Sequence, residues 1–456
     1  AIHAGSGSRG WVACGAMAAR GPDLDRRPSV WPRALVLGAV GLVGIVGIIC
    51  VIGQFADGSL YEYLVIKRQE PSLGTTRQGA HLLGQLPLYL GVKAGITSMP
   101  VLDLLLGLGL VGLGAACWFV ALWLHRGTPW FWVLTAGWSL STLSSFVACS
   151  EGTLAYGLCA LAVALLLLPR SLRVAEVVVL ELCGLALLAS YPTLSFLGLV
   201  LAGGALARWR PRGSASLDEP WVAPWLLCAS ALFVLASICS VVQVLSVTNG
   251  DPVSSYLDAR VTFGSTAHLQ LVLTFGLLVL LGAAWWLPRA ARWLEILGAA
   301  VGLALLVPAW WASPSTEFFS RVMVGGCLAL LFGAALLVAF ARVERSTRSP
   351  RLSGVLLGLV VVVSLVHLIS LDLGFRTWRG HLAQSVQTHH GLVAFSHSGL
   401  SRAEFDRYGW SWTNPVQSTL LMNAAGQGII LNPEPDWSPF GPKMRNLELP
   451  RRYLNP

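Results

Sequence analysis

The chain has 456 residues, of which 55% are hydrophobic and only 12% charged, with a mean hydropathy of +0.67 and a net charge of +9. A soluble protein of this length carries about twice that share of charge, so a soluble enzyme is excluded. Continuous apolar runs exclude a porin-like barrel, whose strands alternate. The basic residues sit in short loops between apolar segments, which points to anionic lipid headgroups and not to nucleic acid as their partner.

Residues 1–32 lack the basic start, clean apolar core and cleavage site of a signal peptide. They read as a cytoplasmic leader. Eleven membrane spans are then predicted, at 33–54, 99–123, 129–149, 153–169, 174–190, 193–207, 221–247, 266–287, 292–310, 322–341 and 352–372, with ten or twelve as alternatives. The fold class is an all-α polytopic membrane protein. Its transmembrane domain covers 33–373, and residues 374–456 form a tail or small domain beyond the last span. The nine cysteines form no CxxC pair, and most lie in apolar segments, where they read as small core residues.

Loop charges orient the bundle. With the N-terminus cytoplasmic, the inner connections hold 17 basic residues and the outer loops before the tail hold six. That satisfies the positive-inside rule at every crossing. The N-terminus is then cytoplasmic and the C-terminus extracytoplasmic, in a bacterial inner membrane with the working face toward the periplasm. All the long connections fall on that face, where binding groups can be placed.

The first outer loop, 55–97, follows the first span and opens with QFADGSLYEY. Asp57 stands close to the membrane boundary. It is either a solvated helix end or a carboxylate held beside a lipid-borne substrate, where partial burial would tune it as a general base. Glu62 is a second candidate. Glu151 is a third, at the outer start of a span, where an acid also suits the helix dipole. Asp103 begins a span too, and there capping is the favoured role. Further along the loop, AHLLGQLPLYLG alternates apolar and polar residues. It suits one or two short interfacial helices broken at Pro87, with Leu82, Leu83, Leu86, Leu88 and Leu90 reaching toward lipid.

Arg321 begins the tenth span from the outer side, where basic residues are scarce. It can hold a lipid phosphate bidentately or snorkel to ordinary headgroups. Arg260 and Arg77 are weaker versions of the same idea. His268 opens the eighth span and can hydrogen-bond a phosphate or a sugar hydroxyl, or be a satisfied buried histidine. Glu181 lies deep in the fifth span and keeps an ion pathway in view. In the tail, Trp410 and Trp412 flank a serine next to Tyr408, a pattern that serves carbohydrate stacking or a protein interface. QGIILN reads as a strand. His389, His390 and His397 lack regularly spaced carboxylate or cysteine companions. No cofactor is expected, and a divalent metal is compatible with the sequence without any pattern calling for it.

This layout resembles the GT-C superfamily of membrane glycosyltransferases, which use polyprenyl-phosphate sugars. The features that carry the resemblance are the cytoplasmic start, the long first outer loop with AHLLGQLPLYLG, the acid in QFADGS and the C-terminal extracytoplasmic region. The paired acids of many members are absent, since Asp57 is followed by Gly58 and Ser59. The resemblance implies a GT-C-like fold and an inverting transfer of sugar from a polyprenyl-phosphate donor. It makes Asp57 the base and places Arg321 or Arg260 at the lipid phosphate. Two other readings stand beside it. One is a non-catalytic structural or accessory subunit of a membrane complex. The other is a transporter or flippase of lipid-linked precursors.

Overall fold

The computed structural model of the chain describes residues 31–55, 57–72, 78–144, 151–188, 190, 194–209, 219–246, 320–340, 351–409, 413–433 and 447–454, with isolated helical positions between 272 and 301. Among these residues the fold is helical apart from two short strands, and it is an all-α membrane protein by length and composition of its helices. Four helices are long and apolar enough to cross a membrane: Trp31–Ile49, Met99–Leu124, Val222–Gln243 and Val360–Thr388. Three shorter apolar helices accompany them, Gly152–Leu166, Leu194–Trp209 and Val324–Phe340. The spans anticipated at 266–287 and 292–310 lie largely outside the described residues.

In chain order the helices are α1 (Trp31–Ile49), α2 (Asp57–Arg68), α3 (Gln78–Lys93), α4 (Met99–Gly107), α5 (Leu113–Leu124), α6 (Trp130–Ser144), α7 (Glu151–Leu166), α8 (Val174–Leu187), α9 (Leu194–Trp209), α10 (Val222–Ser246), α11 (Ser320–Phe340), α12 (Arg351–Thr388), α13 (Arg402–Tyr408) and α14 (Asn414–Leu420). A π-helical turn, Leu108–Gly112, joins α4 to α5 without breaking the rod.

The core forms around α7. Its sequence is apolar on every face, which marks a helix surrounded by others, and every residue from Leu154 to Leu168 is buried. Helices α5, α6, α8, α9 and α11 pack around it, as does α3 from the first outer loop. At its C-terminal end the unpaired carbonyls meet the Arg208 guanidinium from α9. Nη1 donates to Leu165 O at 3.2 Å, Leu166 O at 2.8 Å and Leu168 O at 2.9 Å. A cation at a helix C-terminus answers both the free carbonyls and the dipole. Arg208 therefore serves as a buried cap, beyond the inner-face charge the sequence suggests.

The first outer loop folds onto the bundle. Helix α3 runs unbroken through Pro87, against the expected interruption. Its backbone lies directly on the π-helical turn, so a Cβ on Gly109 would overlap the carbonyl oxygen of Gly84. Only glycine allows that approach. Leu82, Leu86 and Leu90 form an exposed apolar stripe one turn apart, as interfacial contact requires, while Leu88 is fully buried.

Helix α12 has 38 residues, so it is about 57 Å long, well beyond the hydrocarbon thickness of about 30 Å. The boundary anticipated between residues 373 and 374 falls inside it, and the helix continues past that boundary to Thr388 as a post. The tail packs on this post. Leu392–Val393 pairs in parallel with Ile429–Ile430 inside the expected QGIILN strand. Phe375, Trp378, Leu382 and Val386 of α12 meet Phe395, Phe405 and Ile430. The segment 447–454 reaches back to the first loop, where Leu447, Leu449 and Tyr453 pack with Tyr63, Ile66, Leu88 and Leu102. In a membrane, this contact puts the first loop and the tail on one face, which requires an even number of crossings between Met99 and Arg379.

Candidate functional site

The strongest polar constellation sits where α1, the first loop and the tail converge. Val51 adopts φ 58 and ψ 31, a left-handed conformation that is costly for a β-branched residue. It ends α1 and starts a short 3-10 turn, Ile52–Gln54. That turn carries the Gln54 carboxamide into a junction between α2, α4 and α12.

Gln54 uses all of its amide atoms there. Nε2 donates to Glu62 Oε2 at 2.6 Å and to Asp103 Oδ1 at 2.7 Å. Oε1 accepts from Arg379 Nε at 2.6 Å, while Arg379 Nη2 reaches Asp103 Oδ2 at 2.5 Å. From α14, Gln417 Nε2 donates to the Gln54 carbonyl oxygen at 3.2 Å. Gln54, Glu62, Asp103 and Gln417 are all buried.

One cation faces two acids in this cluster. Arg379 is ion-paired with Asp103, and Glu62 Oε1 has no hydrogen-bond partner. Burial pushes the Glu62 carboxyl well above its ordinary value of 4.5, and the neighbouring Asp103 charge pushes it further, against the opposing pull of Gln54 and Arg379. Glu62 therefore holds its proton more readily than a free carboxyl does. Sealed from solvent, it suits holding the loop in place better than touching a substrate. Asp103 corrects the expected capping role: it sits in the first turns of α4 but spends its carboxylate on Gln54 and Arg379.

Asp57 has a different setting. It opens α2 rather than closing α1, so its carboxylate lies at a helix N-terminus, and it is half-buried. Tyr61 Oη donates to Asp57 Oδ2 at 3.3 Å. The Tyr61 ring in turn lies 4.5 Å from the His81 ring of α3, centroid to centroid. An acid, a phenol and an imidazole thus line up along the first loop.

The other expected site residues are not brought together among the described residues. Glu151 begins α7 and Arg321 lies in the first turn of α11. The side chains of both fall outside the described residues, as do Arg77, Arg260, His268, Trp410 and Trp412 entirely. No group of three His, Cys, Asp or Glu gathers as metal ligands among the described residues. A cleft opens between α1, α5, α6, α7 and α12. Asp372 lines it and Asp57 does not.

Gln54 and Arg379 carry this region without having been singled out from sequence. The available signal was the general rule that polar groups next to apolar spans need partners. Comparison with family models, curated proteins and solved structures finds no match for the chain.

Proposed function

We propose that the chain is a membrane glycosyltransferase that moves a sugar from a polyprenyl-phosphate donor to an acceptor at the extracytoplasmic face of the bacterial inner membrane. The observation that carries this reading is the setting of Asp57. It follows the first span immediately, stands at the N-terminus of a loop helix and keeps partial access to solvent. Two other acids of the region, Glu62 and Asp103, are committed to the buried junction.

In this mechanism Asp57 takes the proton of the acceptor hydroxyl. The oxygen attacks the anomeric carbon as the bond to the lipid phosphate breaks, inverting the configuration. The phosphate departs with the electron pair, and arginines of the outer face, Arg321, Arg260 and Arg77, are proposed to balance its charge. The exposed stripe Leu82, Leu86 and Leu90 keeps the loop at the headgroup level where such a donor resides. His268, Trp410 and Trp412 are proposed contacts to the sugar.

The test is transfer of labelled sugar from extracted polyprenyl phosphates by the purified chain in liposomes. Asp57→Asn is expected to lose about 10²–10⁴-fold, the range of a positioned general base. Equal activity of the two proteins would remove Asp57 from the mechanism.

A second reading, an accessory subunit of a membrane complex, is favoured by the buried junction itself. Joining the first loop to the tail through Gln54, Asp103, Arg379 and Gln417 is a structural task. Stable co-purification with a partner membrane protein, together with no transfer by the isolated chain, is the outcome that would select it.

A further inference from the structure

The cleft between α1, α5, α6, α7 and α12 carries an inference independent of sugar transfer. Three large aromatic side chains, Trp118, Trp138 and Tyr156, contribute to its walls, and among the described residues Asp372 is its single charged lining residue. Asp372 is only 3% exposed. Among the described residues its carboxylate makes neither a hydrogen bond nor a salt bridge. Arg376, one turn further along α12, is exposed. A Cβ at Gly47 would come within 3.0 Å of Val111 Cγ1 and reach van der Waals contact with Asp372 Oδ2 at 3.5 Å, so glycine leaves room at this end of the cleft.

The remaining lining decides what the acid is for. Ser141 Oγ and Thr142 Oγ1 both donate to the Trp138 carbonyl oxygen, at 2.8 and 2.9 Å. Their protons are thus spent on the helix backbone. Among the described residues no Lys, Arg or His lines the space. A phosphate or a free sugar would find few donors and one repelling charge. A cation would find a carboxylate and aromatic side chains in the same wall, the combination that recognises organic ammonium ions. An unpaired acid at membrane depth is costly, and a bound cation removes that cost.

We propose that this cleft is a binding site for a compact organic ammonium ion, with Asp372 as its counter-charge and Trp118, Trp138 and Tyr156 as its aromatic wall. Such a group arrives either as a free solute or as the headgroup of a lipid. Choline is a suitable probe, and 3,3-dimethyl-1-butanol is its uncharged counterpart of the same shape.

Calorimetric titration of the full chain in dodecyl maltoside is expected to show choline binding at least tenfold tighter than 3,3-dimethyl-1-butanol. Asp372→Asn is expected to weaken choline at least tenfold and leave the alcohol unchanged. Equal affinity for the two probes, no choline binding, or full choline affinity in Asp372→Asn would each overturn the proposal. Should the variant fail to fold, the comparison of the two probes on the unaltered protein still decides. Repeating the titration in dodecylphosphocholine separates the sources. Loss of free choline binding there assigns the site to a headgroup, and retention assigns it to a free solute.

Discussion

Arg379 Nη2 sits 2.5 Å from Asp103 Oδ2, joining two residues 276 positions apart in the chain. The bond ties the post formed by α12 to the helix that leaves the first outer loop. Asp103 is buried and Arg379 only 23% exposed in its side chain, so water screens the pair little. Removing one partner leaves a buried charge uncompensated, which costs ~3–5 kcal/mol. Arg379→Met is expected to lower the stability of the detergent-solubilised chain by that amount. The double variant Asp103→Asn, Arg379→Met is expected to recover part of the loss. Denaturant unfolding of the two single variants and the double variant measures both, and a double-variant loss equal to the sum of the two single losses would show that the two residues do not act as a pair.

Glu62 gives the junction a pH dependence of known sign. Its carboxyl holds its proton more tightly in the folded chain than in the unfolded one, chiefly because burial disfavours the charge. The stabilisation from this proton is complete below about 4.5, the ordinary value, and is lost as pH rises through the higher folded value. Thermal unfolding of the chain is therefore expected to fall across that interval. In Glu62→Gln, which has no proton to lose, the slope is expected to flatten. An unchanged slope would show that the acid titrates freely.

Gln54 satisfies three charged or polar partners with one side chain. Gln54→Leu has similar bulk but strands the Glu62 and Asp103 oxygens and the Arg379 Nε proton together. Each buried group left unsatisfied costs ~1–3 kcal/mol. A loss of at least ~3 kcal/mol is expected by denaturant unfolding, exceeding that of Gln54→Glu at low pH, where the added acid is neutral and still able to donate. Losses in the reverse order would mean that shape, and not hydrogen bonding, holds the residue.

Much of the helical layout is legible in the sequence because lipid forces it. Apolar runs such as 99–123 and 221–247 have one structural solution each, since every backbone group must pair within its own segment. Helix α7 is legible for a related reason: a run with no polar face has to be surrounded. What escapes the sequence is long-range pairing. Asp103 looks like a helix cap from its neighbours alone, and only the return of α12 brings Arg379 to it. Pro87 looks like a break because its missing N–H usually ends a helix, yet packing of Gly84 on Gly109 holds α3 straight through it. The candidate base Asp57 is visible as an acid after a span, whereas its partner Tyr61 and the His81 ring depend on how α2 and α3 lie together.

The shared face of the first loop and the tail can be tested without any assumption about function. Because Gln417 reaches Gln54 and Arg379 reaches Asp103, the two regions must emerge on the same side. The positive-inside rule predicts that this side is the outside. Lys67 in α2 and Arg402 in α13 are exposed, and so is Arg126, in the turn between α5 and α6. In cells, Lys67→Cys and Arg402→Cys are expected to react with a membrane-impermeant maleimide above the background of the native cysteines. Arg126→Cys is expected to react only after permeabilisation. The even-crossing requirement rests on the first two labels agreeing, whichever side they report. Opposite labelling of Lys67→Cys and Arg402→Cys would break the contact between loop and tail, and with it the junction around Gln54. Agreement of both on the inner side would keep the junction and reverse the orientation, removing Asp57 from the face where a lipid-linked sugar is proposed to arrive.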